Sequence, residues 1–116
     1  MKKALFLVLA LAMVFTVTAA SAKDVVVAFS QIGQESDWRT ANTDDLKSAV
    51  ENHPGWKLVY DDAQQKQENQ IKALRNFITQ GVDYILFTGV VETGWDEVLK
   101  EVNEAEIPLI LLDRMP

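Results

Sequence analysis

Four short apolar runs alternate with three helical patterns along this chain, and this alternation is its strongest structural constraint. The runs are Val25–Phe29, Lys57–Tyr60, Tyr84–Thr88 and Leu109–Leu112. Short continuous apolar runs are typical of strands that are buried in a parallel sheet. The runs begin near positions 25, 57, 84 and 108, so successive starts are 32, 27 and 24 residues apart. Those spacings leave room for one crossover helix between strands and predict the order βαβαβαβ.

The segments between the runs have apolar residues at helical spacing. The predicted helices cover approximately residues 37–52, 65–80 and 94–105. The apolar stripe of the first helix is Leu46, Ala49, Val50 and His53. Gly81 follows the second helix and Pro108 follows the third, as expected where helices end. Because crossover connections are right-handed, we expect helices on both faces of the sheet, in an α/β fold with three layers, αβα.

Residues 1–22 have the composition of an export signal. Two lysines precede the apolar stretch Ala4–Val17, and Ala20-Ser21-Ala22 forms a cleavage pattern before Lys23. This stretch is shorter than the ~20 residues that a spanning helix needs, which favours cleavage over a membrane anchor. We therefore expect a periplasmic protein whose mature part begins at residue 23.

The composition after residue 22 excludes several function classes. It holds 9 basic and 17 acidic residues, a net charge of −8, which argues against nucleic acid or anionic lipid as a partner. The chain has one histidine, His53, and no cysteine, so a zinc site has no support. No Gly-x-Gly-x-x-Gly motif follows the first run, and dinucleotide binding is also unsupported. We expect neither a metal nor a cofactor.

Concentrated polar chemistry follows the first and the last apolar run. The motif Glu35-Ser36-Asp37-Trp38-Arg39 opens the first predicted helix, and Asp113-Arg114 follows the fourth run. Ligands of parallel sheets bind beyond the carboxyl ends of the strands. Carboxylate and guanidinium groups bind sugar hydroxyls in pairs, and an aromatic ring covers the apolar side of a sugar. These seven residues are therefore the predicted half of a carbohydrate-binding site: Glu35, Ser36, Asp37, Trp38, Arg39, Asp113 and Arg114.

Parts of this seven-residue cluster also have an interpretation that requires no ligand. Glu35 and Arg39 are spaced for an i,i+4 ion pair, and Ser36 or Asp37 suits the N-cap of a helix. Asp113-Arg114 alone is compatible with an ordinary polar turn. The position of these residues at strand ends favours the binding-site interpretation.

The remaining strand ends and aromatic residues have weaker assignments. Trp38 lies outside the apolar stripe of its helix and suits ring stacking, whereas Trp95 lies on an apolar stripe and is predicted to be in the core. Segment 61–64, with Asp61, Asp62 and Gln64, is expected to form the rim or a helix cap. Segment 88–90 would approach a ligand through its backbone.

Two longer motifs relate the chain to a known family. These are Glu35–Arg39 and Gln64–Ala73, with shorter matches at 80–83, 105–108 and 112–114. Across nearly all of residues 25–114, the chain resembles the periplasmic sugar-binding proteins of ABC importers, which are relatives of the ligand-binding cores of LacI-type repressors.

The resemblance implies a type I periplasmic binding protein, in which two α/β lobes close over a sugar. Residues 23–116 would then be an incomplete N-terminal lobe. The ligand would be a monosaccharide of the galactofuranose type, and the partner would be an ABC permease in the inner membrane. The same seven residues would line this lobe's share of the cleft. At Asp37 the chain departs from the family pattern, which has glycine there.

Two alternative functions remain open. An exported sensor that reports sugar to a chemoreceptor or a histidine kinase would have the same cleft. An enzyme would use Glu35 and Asp37 as the carboxylate pair of a glycoside hydrolase. Residues two apart at a helix start point in different directions, and the neighbouring arginine would hold both carboxylates ionised. We therefore predict a binding protein and no enzymatic activity.

Overall fold

The structure, a computed structural model, describes residues 23–114 and contains four strands and three helices in that range. In chain order they are β1 Val25–Gln31, α1 Asp37–Glu51, β2 Trp56–Asp62, α2 Gln67–Gln80, β3 Tyr84–Phe87, α3 Asp96–Glu104 and β4 Leu109–Leu111. The predicted βαβαβαβ order is confirmed. The predicted export signal lies outside the described residues. Within 23–114 no helix has the length and apolar character needed to cross a membrane.

All four strands form one parallel sheet with the order β2-β1-β3-β4. β1 pairs with β2 along its whole length, from Val25 opposite Trp56 to Gln31 opposite Asp62. The chain moves from β1 to β2 on one side and then returns to β3 on the other side of β1. Strand order therefore reverses between β1 and β3, which in open α/β sheets is where loops diverge and leave a binding crevice.

The main core lies where α2 and α3 pack against the sheet. Its largest members are fully buried and come from both helices and from β3: Leu74, Phe77, Ile85, Phe87, Trp95 and Val98. Trp95 is 2% exposed and meets Phe87 edge to face, with ring centroids 4.9 Å apart. The predicted core role of Trp95 is confirmed.

Helix α1 covers the opposite face only in part. Val50 is buried, but Leu46 is half-buried and Ala49 is exposed. His53 is in the following turn and stacks on Trp56 at a centroid distance of 3.9 Å. The predicted stripe was therefore wrong at Ala49 and His53. An apolar cavity of about 280 Å³ remains on this face, lined by Val27, Leu46, Trp56, Tyr84, Leu86 and Ile110 among others.

Several predicted boundaries shift by one or two residues. Asp61 and Asp62 are the last two residues of β2 and do not follow it, because the pairing with β1 continues through them. Helix α2 begins at Gln67, since Gln64 and Gln65 have φ of 52° and 61°, which a right-handed helix does not accept. Its end at Gly81, with φ of 65°, is as predicted.

Candidate functional site

The start of α1 sets the position of the first motif. Ser36 is the N-cap with an extended backbone, and its Oγ accepts a hydrogen bond from the backbone N–H of Arg39 at 3.2 Å. This bond satisfies one of the N–H groups that every helix start leaves free. Trp38 and Arg39 therefore lie in the first turn, at the edge of the sheet where β1 ends.

Arg39 joins the two predicted halves of the site. It is 5% exposed, and its Nε donates to Glu35 Oε1 at 3.1 Å. Its Nη2 donates to Asp113 Oδ2 at 3.0 Å. Burying a guanidinium is costly unless it is paired, and here two carboxylates flank it. The segments that follow β1 and β4 thus meet at one edge, as the sequence predicted.

Asp113 and Arg114 form the far side of this arrangement. Asp113 adopts a left-handed backbone with φ of 67°, a conformation that is more accessible to Asp and Asn than to most residues. Its Oδ2 also lies 3.5 Å from Arg114 Nε, so one carboxylate oxygen lies close to two guanidinium groups. Arg114 is about half exposed, which leaves donor groups accessible to solvent.

Trp38 and Asp37 form the open rim. Trp38 is 56% exposed, and the guanidinium carbon of Arg39 lies 4.8 Å from its ring centroid. Asp37 is exposed in the first turn of α1. The arrangement therefore presents an aromatic face and an exposed carboxylate next to a buried, paired arginine.

Two buried side-chain atoms in the described range lack a hydrogen-bond partner, Arg39 Nη1 and Thr88 Oγ1. Thr88 directly follows β3, which lies between β1 and β4. Arg39 reaches from α1 to the segment after β4, so both atoms belong to the same edge of the sheet. A buried donor left without a partner costs about 1–3 kcal/mol. Only the backbone of 88–90 was predicted to approach a ligand, although a hydroxyl residue at a strand end was the signal for this side chain.

A polar network next to the site holds the β1–α1 connection in place. Gln31 is fully buried, and its Nε2 donates to Asn42 Oδ1 at 2.9 Å and to Thr43 Oγ1 at 3.2 Å. Gln34 Nε2 donates to Thr43 Oγ1 at 3.1 Å and to the Tyr60 hydroxyl. Burial raises the pKa of Tyr60. The sequence patterns predicted no role for Gln31 or Gln34.

Asp61 and Asp62 lie at the carboxyl end of β2, directly beside the end of β1. Asp62 Oδ1 accepts from the backbone N–H of Gln64 at 2.9 Å, within the turn that precedes α2. The predicted helix cap is wrong here, because the N-cap of α2 is Lys66 and no side chain caps it. Burial, and then repulsion by Asp62, raise the pKa of Asp61, whereas a 3.5 Å hydrogen bond from Ser30 acts in the opposite direction. In residues 23–114, no group of three His, Cys, Asp or Glu side chains is placed to hold a metal ion.

Comparison with known proteins identifies relatives over most of the chain. The sequence profile described as periplasmic binding protein domain matches residues 27–116. The chain is 56% identical over 95 residues to the galactofuranose-binding protein YtfQ of Escherichia coli (strain K12), covering 82% of this chain and 30% of that protein. The chain therefore spans less than a third of the length of that relative.

Two solved structures of similar proteins contain furanose sugars. One is the periplasmic binding protein component of the arabinose ABC transporter from Shewanella sp. ANA-3, bound to α- and β-L-arabinofuranose, at 53% identity and a TM-score of 0.75. The other is a Mycobacterium smegmatis protein in complex with β-D-fucofuranose, at 54% identity and a TM-score of 0.75. Each match covers 78% of this chain and 30% of the other.

These similarities confirm the predicted fold, a parallel-sheet α/β lobe of the type I periplasmic binding proteins. The profile match covers most of the chain, including β3, β4 and the segments that carry the seven-residue cluster. The chain belongs to the periplasmic binding protein domain family.

Proposed function

We propose that the full-length protein captures a furanose monosaccharide of the galactofuranose type in the periplasm and delivers it to an ABC importer. The observation that carries this proposal is the hydrogen bond between Arg39 and Asp113, which brings Glu35–Arg39 and Asp113-Arg114 to one edge of the sheet. Three relatives more than 50% identical to the chain are named for, or are bound to, galactofuranose, arabinofuranose and fucofuranose. Their shared ring form supports a furanose ligand here.

The side chains at this edge suit the chemistry of a sugar. The exposed indole of Trp38 offers an apolar plane for the C–H side of the ring. Carboxylate oxygens of Glu35 and Asp37 accept hydrogen bonds from hydroxyls, and the half-exposed guanidinium of Arg114 donates two in parallel. The unpartnered Nη1 of Arg39 supplies a further donor. Asp37 is exposed in the first turn of α1, and we assign to its carboxylate a contact to this protein's own ligand.

The proposed mechanism is a population shift between open and closed forms. The described residues supply one wall of the cleft, and a second lobe would supply the other. Sugar favours the closed form because only that form makes contacts from both sides. We further propose that residues 1–22 export the protein and are then removed, and that the closed form docks on an inner-membrane permease. The protein carries out no reaction on the sugar.

Calorimetry on the full-length mature protein tests this function. The sugar panel contains D-galactose, L-arabinose and D-fucose, which equilibrate with furanose forms, and methyl furanosides and pyranosides of the same sugars, whose rings are locked. We expect binding tighter than millimolar for at least one furanoside and weaker binding for its pyranoside partner. If no sugar of either ring form binds, the proposed function is wrong. Turnover of an aryl glycoside would instead favour the enzyme alternative.

A further inference from the structure

The loop between β3 and α3 is held by a side chain from α2. Gln70 is fully buried, and its Nε2 donates to the backbone carbonyl of Thr88 at 2.8 Å. Its Oε1 accepts from the backbone N–H of Val90 at 2.9 Å. Both ends of one carboxamide are therefore bonded to the backbone on either side of Gly89. A buried amide that is fully used in this way fixes the conformation of the segment it bonds.

Other contacts restrict the same loop. The indole N–H of Trp95 donates to the Val91 carbonyl at 2.8 Å, and Gln67 Nε2 donates to the Thr93 carbonyl at 2.7 Å. A Cβ on Gly89 would lie 3.0 Å from the Val91 carbonyl oxygen, so the loop closes tightly on itself. Segment 88–95 thus has little freedom once Gln70 is in place.

The orientation of Thr88 depends on this loop. Phe87 packs on Trp95, on the face covered by α2 and α3. Alternation along β3 places Leu86 on the other face, where it lines the cavity beneath Leu46 of α1, and Thr88 is two residues further along the chain. Thr88 Oγ1 and Arg39 Nη1 are the buried atoms of this edge that have no partner within the described residues.

We propose that Gln70 is a positioning residue for the sugar site: it fixes the backbone at Thr88 so that the Thr88 hydroxyl is held in place for a hydroxyl of the ligand. This inference rests on the proposed function and deepens it. Gln70 itself lies on the other face of the sheet and acts through Thr88. Loss of the Gln70 side chain should lower the sugar affinity of the folded protein, whereas loss of a purely structural residue would lower its stability alone.

A double-mutant cycle on the full-length protein tests the proposal. Gln70→Met keeps the size of the side chain and removes both hydrogen bonds, and Thr88→Val removes the hydroxyl alone. Calorimetry with the tightest sugar of the panel gives the dissociation constant and the stoichiometry separately. We expect each single variant to bind about tenfold more weakly at unchanged stoichiometry, and the double variant to bind no more weakly than Thr88→Val. Thr88→Ser should retain the affinity of the wild type.

Two controls keep the test decisive. Gln80→Met changes an exposed glutamine at the end of α2 and should leave the affinity unchanged. If Gln70→Met does not fold, Gln70→Leu removes the same two hydrogen bonds without burying a charge, and the same tenfold loss is expected. Hydrogen exchange at the Val90 amide should be faster in either Gln70 variant, with or without sugar.

The failure of this inference is distinguishable from the failure of the proposed function. A wild-type protein that binds sugar, together with a Gln70→Met variant of equal affinity, would overturn the positioning role alone. Multiplied losses in the double variant would do the same, since Gln70 would then act independently of Thr88. Absence of sugar binding by the wild type would overturn the proposed function. Unchanged hydrogen exchange at the Val90 amide in the Gln70 variants would show that Gln70 does not constrain the loop, and would overturn the positioning role.

Discussion

Arg39 donates from Nη2 to Asp113 Oδ2 at 3.0 Å, and 74 positions of sequence separate the two residues. The bond connects the first turn of α1 with the segment after β4 and passes the carboxyl end of β3, which lies between β1 and β4. The bond therefore ties α1 to the segment after β4 and, in doing so, brings the two halves of the candidate site together.

The Arg39–Asp113 pair should contribute to stability. We expect Arg39→Met and Asp113→Asn to lower the free energy of unfolding, with a coupling energy of about 1–2 kcal/mol in the double-mutant cycle. Asn is the appropriate replacement because it tolerates the left-handed backbone of Asp113. Urea denaturation of the full-length protein measures the cycle. The exposed pair Lys57–Asp24 is the control, and an equal coupling in both pairs would contradict the prediction.

Trp38 should contribute to affinity and little to stability. We expect Trp38→Ala to weaken sugar binding by about 1–3 kcal/mol, because its exposed ring is the surface that a sugar would cover. Trp56→Ala is the matched control, since Trp56 is also partly exposed but begins β2, at the opposite edge of the sheet. Calorimetry on both variants decides the question. Equal affinities in the two variants would remove Trp38 from the site.

Arg114 should also contribute to affinity, and the chain offers a close control for it. Arg114 and Arg75 are both 48% exposed and both pair with carboxylates, but Arg75 joins α2 to α3 away from the site. We expect Arg114→Ala to weaken binding by about 1–3 kcal/mol because ligand hydroxyls lose their donor. Arg75→Ala should bind as the wild type does. Binding of wild-type strength by Arg114→Ala would contradict the proposed site.

Asp61 should make stability depend on pH. Burial and the adjacent Asp62 raise its pKa in the folded protein, so the folded state holds the proton more tightly than the unfolded chain. The protonated Asp61 therefore favours the folded state. This contribution to stability is complete below the unfolded pKa of about 4 and is lost as the pH rises through the raised pKa of the folded state.

The variant Asp61→Asn should therefore be more stable than the wild type at about pH 7 and no more stable at about pH 3. Thermal unfolding at both pH values measures the difference. Asp45→Asn, an exposed substitution on α1, is the control for the loss of one negative charge. A gain for Asp61→Asn that is the same at both pH values would contradict this assignment.

The order of strands and helices was predictable because burial and helical spacing are local properties of the sequence. Several boundaries were not predictable, since tertiary contacts set them. Gln65 donates its backbone N–H to the Ile32 carbonyl at 2.7 Å, and this contact accompanies the left-handed backbone that delays α2. The stripe of α1 failed at Ala49 because the sheet face beneath that part of the helix is only partly covered.

The meeting of the two site segments was also predictable, because parallel strands place their carboxyl ends together. The sequence did not reveal that Arg39 is buried and that it pairs with Asp113 as well as with Glu35. It also gave no indication that Gln70 bonds the backbone on both sides of Gly89. Both features depend on side-chain directions after the sheet has formed, which residue spacing alone does not specify.

The three tryptophans provide an optical means of observing this lobe. Trp95 is enclosed in the core, Trp56 lies at the amino edge of the sheet, and Trp38 is exposed at the carboxyl edge. Variants that retain one of these three indoles at a time would make fluorescence report separately on unfolding, on the uncovered sheet face and on the proposed sugar site. Quenching or a blue shift confined to the Trp38 signal would then yield a label-free titration of sugar.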